Sequence, residues 1–122
     1  MRALICKQYG PPSQLTLDEL DDPKPSKGQI LIKVKAAGIN FPDVLSIEGK
    51  YQVKTEPPFI PGNEASGIIE AVGEGVEKFK PGDKVITMSK GGAFADKCIS
   101  DENTTIPLFP ALNFSQGAGF MV

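Results

Sequence analysis

The 122-residue sequence contains no histidine and only two cysteines, Cys6 and Cys98. Without histidine it lacks the commonest general base and metal ligand, so neither a Ser-His-Asp nor a Cys-His arrangement can form. Two cysteines cannot supply a four-cysteine zinc site, and their number and separation do not indicate a disulfide framework. We therefore predict two buried free thiols.

Long apolar runs and a strong net charge are also missing. No stretch of about 18 apolar residues occurs, and the start shows no charged segment leading into an apolar one. The formal net charge is −2, which gives no reason to expect an anionic partner. We predict a cytoplasmic protein of one domain, with neither a nucleic-acid partner nor a membrane partner.

Glycine and proline are abundant instead, at 13 and 11 residues, and they separate short apolar or alternating segments. Such spacing is typical of turns between short strands. The predicted strands cover residues 2–7, 15–20, 30–35, 65–72, 83–88, 93–100 and 104–108. About seven strands with turn signals every 8 to 12 residues predict a mostly β barrel or sandwich.

Two short helices are predicted beside these strands. The first covers residues 40–48, with Asn40 as a candidate N-cap and Pro42 near the first turn. The second begins near residue 113, with Asn113 or Ser115 at its cap, and continues towards residue 122. Residues 49–62 contain three prolines and are predicted to form a long surface loop.

The segment EAVGEGVEKFKPGDKV, residues 70–85, has the glycine content of a phosphate-binding loop. A dinucleotide fingerprint needs G-x-G-x-x-G between a strand and a helix. Here Lys78 stands where the third glycine belongs, a strand follows rather than a helix, and no G-K-[ST] occurs. The glycines are therefore predicted to form turns, near residues 73–75 and at Pro81-Gly82.

Three segments resemble a known family: GINFPDV (38–44), PGNEASGIIEAVGEGVEKFKPGDKV (61–85) and GGAFADKCI (91–99). They resemble the catalytic domain of the medium-chain dehydrogenase/reductase superfamily, and most closely its zinc-independent quinone oxidoreductases. The resemblance covers residues 1–122 and implies a mostly β fold with a few short helices, a GroES-like and partly open β-barrel. It also implies that a Rossmann domain for NADPH follows in the full protein, so that residues 1–122 alone would be an inactive catalytic domain.

The resemblance also bears on metal and chemistry. Zinc-dependent members of the superfamily carry Cys where Asn40 stands and His where Asn63 stands, and the four-cysteine lobe is absent from residues 88–100. A site that has lost these ligands is too poor to hold zinc. The resemblance therefore implies metal-free hydride transfer from NADPH to a quinone or an α,β-unsaturated carbonyl, by a homodimeric parent.

Site residues follow from the same resemblance. Asn40 would contact the nicotinamide or the substrate carbonyl, Asp43 would be a polar active-site residue, and Tyr51 would stack on a flat quinone. The cofactor-binding residues implied are Asn40, Phe120, Met121 and Val122. Each has a structural alternative: an N-cap for Asn40, a first-turn carboxylate for Asp43, an exposed loop position for Tyr51, and an apolar helix end for residues 120–122.

Asn63 and Glu64 directly precede a predicted strand. We expect Asn63 to present its amide to the cleft, and Glu64 to be a structural carboxylate that is hydrogen-bonded inside the domain. A function of another class also stays open at this point. A GroES-like barrel could stand alone as a binding module or a co-chaperonin-type assembly subunit.

Overall fold

The computed structural model describes residues 1–120, and most of its regular structure consists of strands. The strands are β1 (Arg2–Ile5), β2 (Thr16–Glu19), β3 (Gln29–Gly38), β4 (Glu64–Val72), β5 (Lys84–Met88), β6 (Lys97–Asp101) and β7 (Thr105–Pro107). The helices are α1 (Phe41–Glu48) and α2 (Phe114–Ala118), with single 3-10 turns at Pro12–Gln14 and Glu102–Thr104. The predicted mostly β fold with a few short helices is confirmed.

The strands form two antiparallel sheets. β1 pairs with β2, and the larger sheet has the strand order β6-β3-β4-β5-β7. The long strand β3 pairs along most of its length with β4, with register shifts after Leu31 and after Val34. Such shifts bend a strand and increase its twist. The five-stranded sheet does not close into a complete barrel, as the predicted partly open GroES-like architecture requires.

The core lies against the inner face of this sheet. Ile30 and Ile32 of β3 pack with Ile69, Val85 and Cys98, and all five are almost completely buried. Fully burying one such aliphatic side chain stabilises the fold by about 1.5–3 kcal/mol. The alternation that predicted β3 therefore reports the residues that fill the core.

Both cysteines are free and buried, as predicted. Burial raises the pKa of the Cys98 thiol to about 12. Because the thiolate is the reactive form, the protonated Cys98 thiol is a poor nucleophile at neutral pH.

Three predicted boundaries are wrong. β3 continues to Gly38 rather than ending at residue 35. β6 begins at Lys97 rather than at residue 93, because the N–H groups of Gly92, Ala93 and Phe94 bond to the carbonyls of residues 60–62 in another loop. The second helix ends at Ala118 instead of continuing to residue 122, with Gly119 as its C-cap. Its predicted beginning is confirmed, since Asn113 Oδ1 accepts a 2.8 Å hydrogen bond from the Gln116 N–H.

A cluster of buried hydroxyl groups joins β5, β6 and β7. Thr87 Oγ1 lies 2.6 Å from Ser100 Oγ and 2.7 Å from Thr105 Oγ1, and all three side chains are buried. Thr105 lies on β7, which pairs directly with β5. β5 and β6 are separated in the sheet order by β3 and β4, so the bond between Thr87 and Ser100 crosses the open side of the curved sheet. The hydroxyl cluster therefore joins β5 to β6 through side chains, at a place where these two strands do not pair through their backbones.

We predict that Thr87→Val, which preserves volume, lowers the free energy of unfolding by about 1–3 kcal/mol, because it removes the buried hydrogen bonds of Thr87 with Ser100 and Thr105. Urea denaturation measures the change. Thr16→Val is the matched control, since Thr16 Oγ1 is buried with no hydrogen-bond partner among residues 1–120 and its loss should be neutral or stabilising. Equal destabilisation by the two variants would contradict a stabilising role of the hydroxyl cluster.

Candidate active site

A cleft of about 620 Å³ opens beside α1. Its lining is mainly apolar, with Tyr51, Val53, Phe59 and Ile60 supplied by the loop after α1. The Lys90-Gly91-Gly92 turn forms another edge, and two polar residues, Asp43 and Asn63, also line the cleft. A concave apolar surface with a few polar groups is the usual form of a small-molecule site.

The beginning of α1 places Asp43 at this cleft. Asn40 occupies the N-cap position with extended backbone angles, and Pro42 follows in the first turn. Asp43 Oδ2 accepts a 2.8 Å hydrogen bond from the Asn40 backbone N–H, which is one half of a capping box. The helix ends at Gly49, whose φ of 74° favours glycine.

A polar network connects α1 with β4. Asp43 Oδ1 accepts a hydrogen bond from Asn63 Nδ2 at 3.2 Å, and the Asn40 side-chain amide donates to Glu64 Oε2 at 2.9 Å. Both carboxyl groups belong to residues that are only 1% exposed. The pairing of Gly38 with Glu64 across β3 and β4 brings the two segments together.

Burial raises the pKa of the Asp43 carboxyl, and the nearby Glu64 charge adds to this, while the hydrogen bond from the Asn40 N–H opposes it. The folded-state pKa thus lies above the unfolded value. The stability that Asp43 contributes is therefore fully present below the unfolded pKa and is lost as pH rises through the folded-state pKa. A buried acid that disfavours folding near neutral pH, in a cleft, is typical of a functional site.

The structure brings together only some of the predicted site residues. Asp43 and Tyr51 line the same cleft, and Asn63 joins them. Among the residues described, Asn40 does not line the cleft but is bonded to Asp43 behind it. Phe120 lies elsewhere, with its ring packed edge-on against Phe109 at a centroid distance of 5.1 Å. The residues Met121 and Val122 fall outside the described part of the chain.

Sequence reasoning missed much of the cleft wall. Val53, Phe59 and Ile60 lie in the segment that we predicted only as a long surface loop. The available signal was the presence of apolar residues in a proline-rich loop, where solvent exposure alone would favour polar ones. The expectation for Glu64 matches the structure, because Glu64 is buried and hydrogen-bonded inside the domain rather than lining the cleft.

Within residues 1–120, no group of three or more potential ligand side chains is arranged to hold a metal ion. In the same part of the chain, every helix is too short or too polar to cross a membrane.

Comparison with known proteins identifies the family. A model described as the alcohol dehydrogenase GroES-like domain matches residues 26–120, which include every element of the cleft. The chain belongs to this family. Within the medium-chain dehydrogenase/reductase superfamily it falls in the zinc-independent quinone oxidoreductase branch, which confirms the predicted resemblance.

Individual relatives support this placement. The rat quinone oxidoreductase is 42% identical over 97% of this chain and 36% of the rat protein. The GroES-like domain described here superposes with a TM-score of 0.92 on the Escherichia coli quinone oxidoreductase complexed with NADPH, at 30% identity, covering 98% of this chain and 37% of that one. For the human synaptic vesicle membrane protein VAT-1 homolog-like protein the TM-score is 0.95, at 32% identity, covering 98% and 39%. The chain spans little more than a third of the length of these relatives.

Proposed function

We propose that this GroES-like domain is the catalytic portion of an NADPH-dependent reductase that acts on a quinone or another α,β-unsaturated carbonyl. The observation that carries the proposal is the Asn63 amide, hydrogen-bonded to a buried Asp43 at a mainly apolar cleft. Relatives named quinone oxidoreductases, one of them complexed with NADPH, support the reaction class. We also propose that the full protein is a cytoplasmic homodimer. Size-exclusion chromatography with light scattering tests the oligomeric state.

The residues of this chain are suited to bind the nicotinamide end of NADPH but not its phosphates. NADPH supplies the hydride when bound, and an apolar cleft of about 620 Å³ suits the approach of a flat nicotinamide ring and a flat acceptor. The glycine turns between β4 and β5 do not precede a helix, so they offer no helix N-terminus to a phosphate. We therefore propose that the cofactor phosphates bind to a second domain outside this chain.

Exposed apolar side chains support the proposal that a second domain covers the surface beside α1. Ile39 and Phe41 flank Asn40 and are 77% and 72% exposed, and Phe120 is 51% exposed. Neighbouring exposed apolar side chains such as those of Ile39 and Phe41 are typical of an interaction surface. The proposed contact of Asn40 and of residues 120–122 with the cofactor requires that surface to be covered.

The polar residues of the cleft have distinct proposed roles. A carboxylate only accepts hydrogen bonds, so Asp43 holds one N–H of the Asn63 amide and thereby fixes its orientation. The second N–H of Asn63 then serves the acceptor carbonyl oxygen, where negative charge develops during hydride transfer. Tyr51 packs against the flat face of the acceptor.

The proposal is tested with the full gene product and NADPH against a panel of quinones and enals. We expect turnover that is unchanged by EDTA, because the amides at positions 40 and 63 replace the Cys and His of the zinc-dependent members. The 122-residue chain alone is expected to be inactive. The absence of turnover with every acceptor, or activity that EDTA abolishes and zinc restores, would overturn the proposal.

The co-chaperonin alternative is less well supported. The full-chain matches reported above are to quinone oxidoreductases and related proteins, and the polar network at the cleft has no evident use in an assembly subunit. A molar mass of seven chains in light scattering would favour the co-chaperonin alternative instead.

A further inference from the structure

The loop that forms the apolar wall of the cleft is held by an N-terminal segment of the chain. Cys6 pairs with Phe59 through two backbone hydrogen bonds, of 2.8 and 3.1 Å, at the far end of this loop. Gly10 N–H donates to the Ile47 carbonyl at 3.0 Å, just before the loop begins. Residues 6–10 therefore fix both ends of the segment 50–58, which we name the wall loop.

Tyr9 supplies the side-chain anchor between these two ends. Its hydroxyl donates to the Thr55 carbonyl at 2.7 Å, in the middle of the wall loop. Its ring lies against Gly49, where an added Cβ would come within 2.7 Å of the ring. One side chain thus contacts the residue just before the wall loop and the middle of the loop.

The chemistry of Tyr9 suits a permanent donor. Burial raises the pKa of its phenol, and the negative charge of Glu56 raises it further. The hydroxyl therefore stays protonated at neutral pH and keeps donating to Thr55. Thr55 offers a backbone carbonyl, so the contact does not depend on a mobile acceptor side chain.

We propose that Tyr9 is a positioning residue that holds the wall loop against the cleft and so sets the affinity for a flat acceptor. Among the residues described, Tyr9 does not itself line the cleft, so it acts through Tyr51 and Val53. The kinetic part of this inference rests on the proposed function. The anchoring part does not, since it concerns only where the wall loop is held.

Limited trypsin digestion tests the anchoring. The wall loop begins at the exposed Lys50 and contains the exposed Lys54. Tyr9→Phe keeps the ring and removes the hydroxyl, and we expect cleavage after both lysines to be about fivefold faster, as the loss of one neutral hydrogen bond implies. Cleavage after Lys78, in the loop between β4 and β5, should be unchanged and serves as the internal control.

Tyr51→Phe is the matched control variant for this digestion. It removes the only other phenol of the chain, from the same loop, and should leave the rate of cleavage unchanged. Unchanged cleavage after Lys50 and Lys54 in Tyr9→Phe would overturn the anchoring, whatever the activity of the protein. Faster cleavage in both variants would also overturn it.

Steady-state kinetics of the full gene product test the effect on the cleft. Tyr9→Phe should raise KM for a quinone about fivefold and leave kcat and the KM for NADPH unchanged. Faster digestion with an unchanged quinone KM would overturn the role in acceptor affinity. If the unmodified protein turns over no acceptor, the proposed function fails and the kinetic role of Tyr9 fails with it, while the digestion still decides the anchoring.

Discussion

Replacing Gly67 by alanine is expected to lower the free energy of unfolding by about 3 kcal/mol, at the upper end of what overpacking a core costs. Gly67 lies in β4, and an added Cβ would come 2.1 Å from the Lys33 carbonyl oxygen and 2.8 Å from Ile32 Cγ2. The nearer contact is backbone, so no side-chain rotation relieves it. The central strands β3 and β4 would have to move apart, which would disturb the core beneath them.

Thermal and urea denaturation measure this effect, and the expected decrease in Tm is roughly 10 °C for a chain of this size. Gly119→Ala is the matched control, because within residues 1–120, and apart from its chain neighbours, the nearest atom to its added Cβ is 3.9 Å away and its φ is −99°. Gly119→Ala should change the free energy of unfolding by less than about 0.5 kcal/mol. A Gly67→Ala protein as stable as the control would show that β3 and β4 tolerate separation.

The glycines show what local sequence could and could not predict. Turns near residues 73–75 and at Pro81-Gly82 were predicted from dipeptide preferences and are confirmed, with φ of 80° at Gly75 and 96° at Gly82. Gly73 is different, because its φ is not positive. An added Cβ at Gly73 would meet the Ser26 carbonyl oxygen at 1.9 Å, a contact with a distant segment that no local pattern reveals.

The strands and α1 were predictable because their signals are local. Period-2 alternation in β3 marks the core face, and Asn40 with Pro42 marks the beginning of α1. The start of β6 was not predictable from local sequence, because residues 92–94 bond to another loop instead of extending the strand. Long-range pairing here overrides a segment that is otherwise acceptable as a strand.

The candidate site divides in the same way. The resemblance singled out Asp43 and Tyr51, and the structure places both at one cleft. The bond from Asn63 to Asp43 depends on the pairing of β3 with β4, which brings segments about 20 residues apart into contact. The wall around Tyr51 depends on bonds from residues 6–10. The predicted strand 2–7 includes only the first two of these residues, and nothing in their sequence indicates a cleft.

Asn63→Ala is expected to lower kcat of the full gene product about 100-fold, within the range observed when one preorganised donor to a developing oxyanion is removed. The amide is held by Asp43 at 3.2 Å before any substrate arrives, so its orientation costs nothing during the reaction. The KM for NADPH should be unaffected, because the cofactor phosphates bind outside this chain in the proposed function. Initial-rate kinetics with a quinone at saturating NADPH measure the change.

Asp43→Asn tests whether the two residues act as a unit. An amide at position 43 carries an NH₂ group in place of one carboxylate oxygen, so it cannot accept at both positions where Asp43 now bonds to the Asn40 N–H and to Asn63 Nδ2. We expect kcat to fall in the same direction as in Asn63→Ala, and the double variant to be no slower than Asn63→Ala alone. Asn103→Ala, at an exposed amide that does not line the cleft, is the control and should keep full activity. If the losses in kcat of the two single variants multiply in the double variant, Asp43 acts independently of Asn63. An unaltered kcat in Asn63→Ala would show that the Asn63 amide has no part in the mechanism.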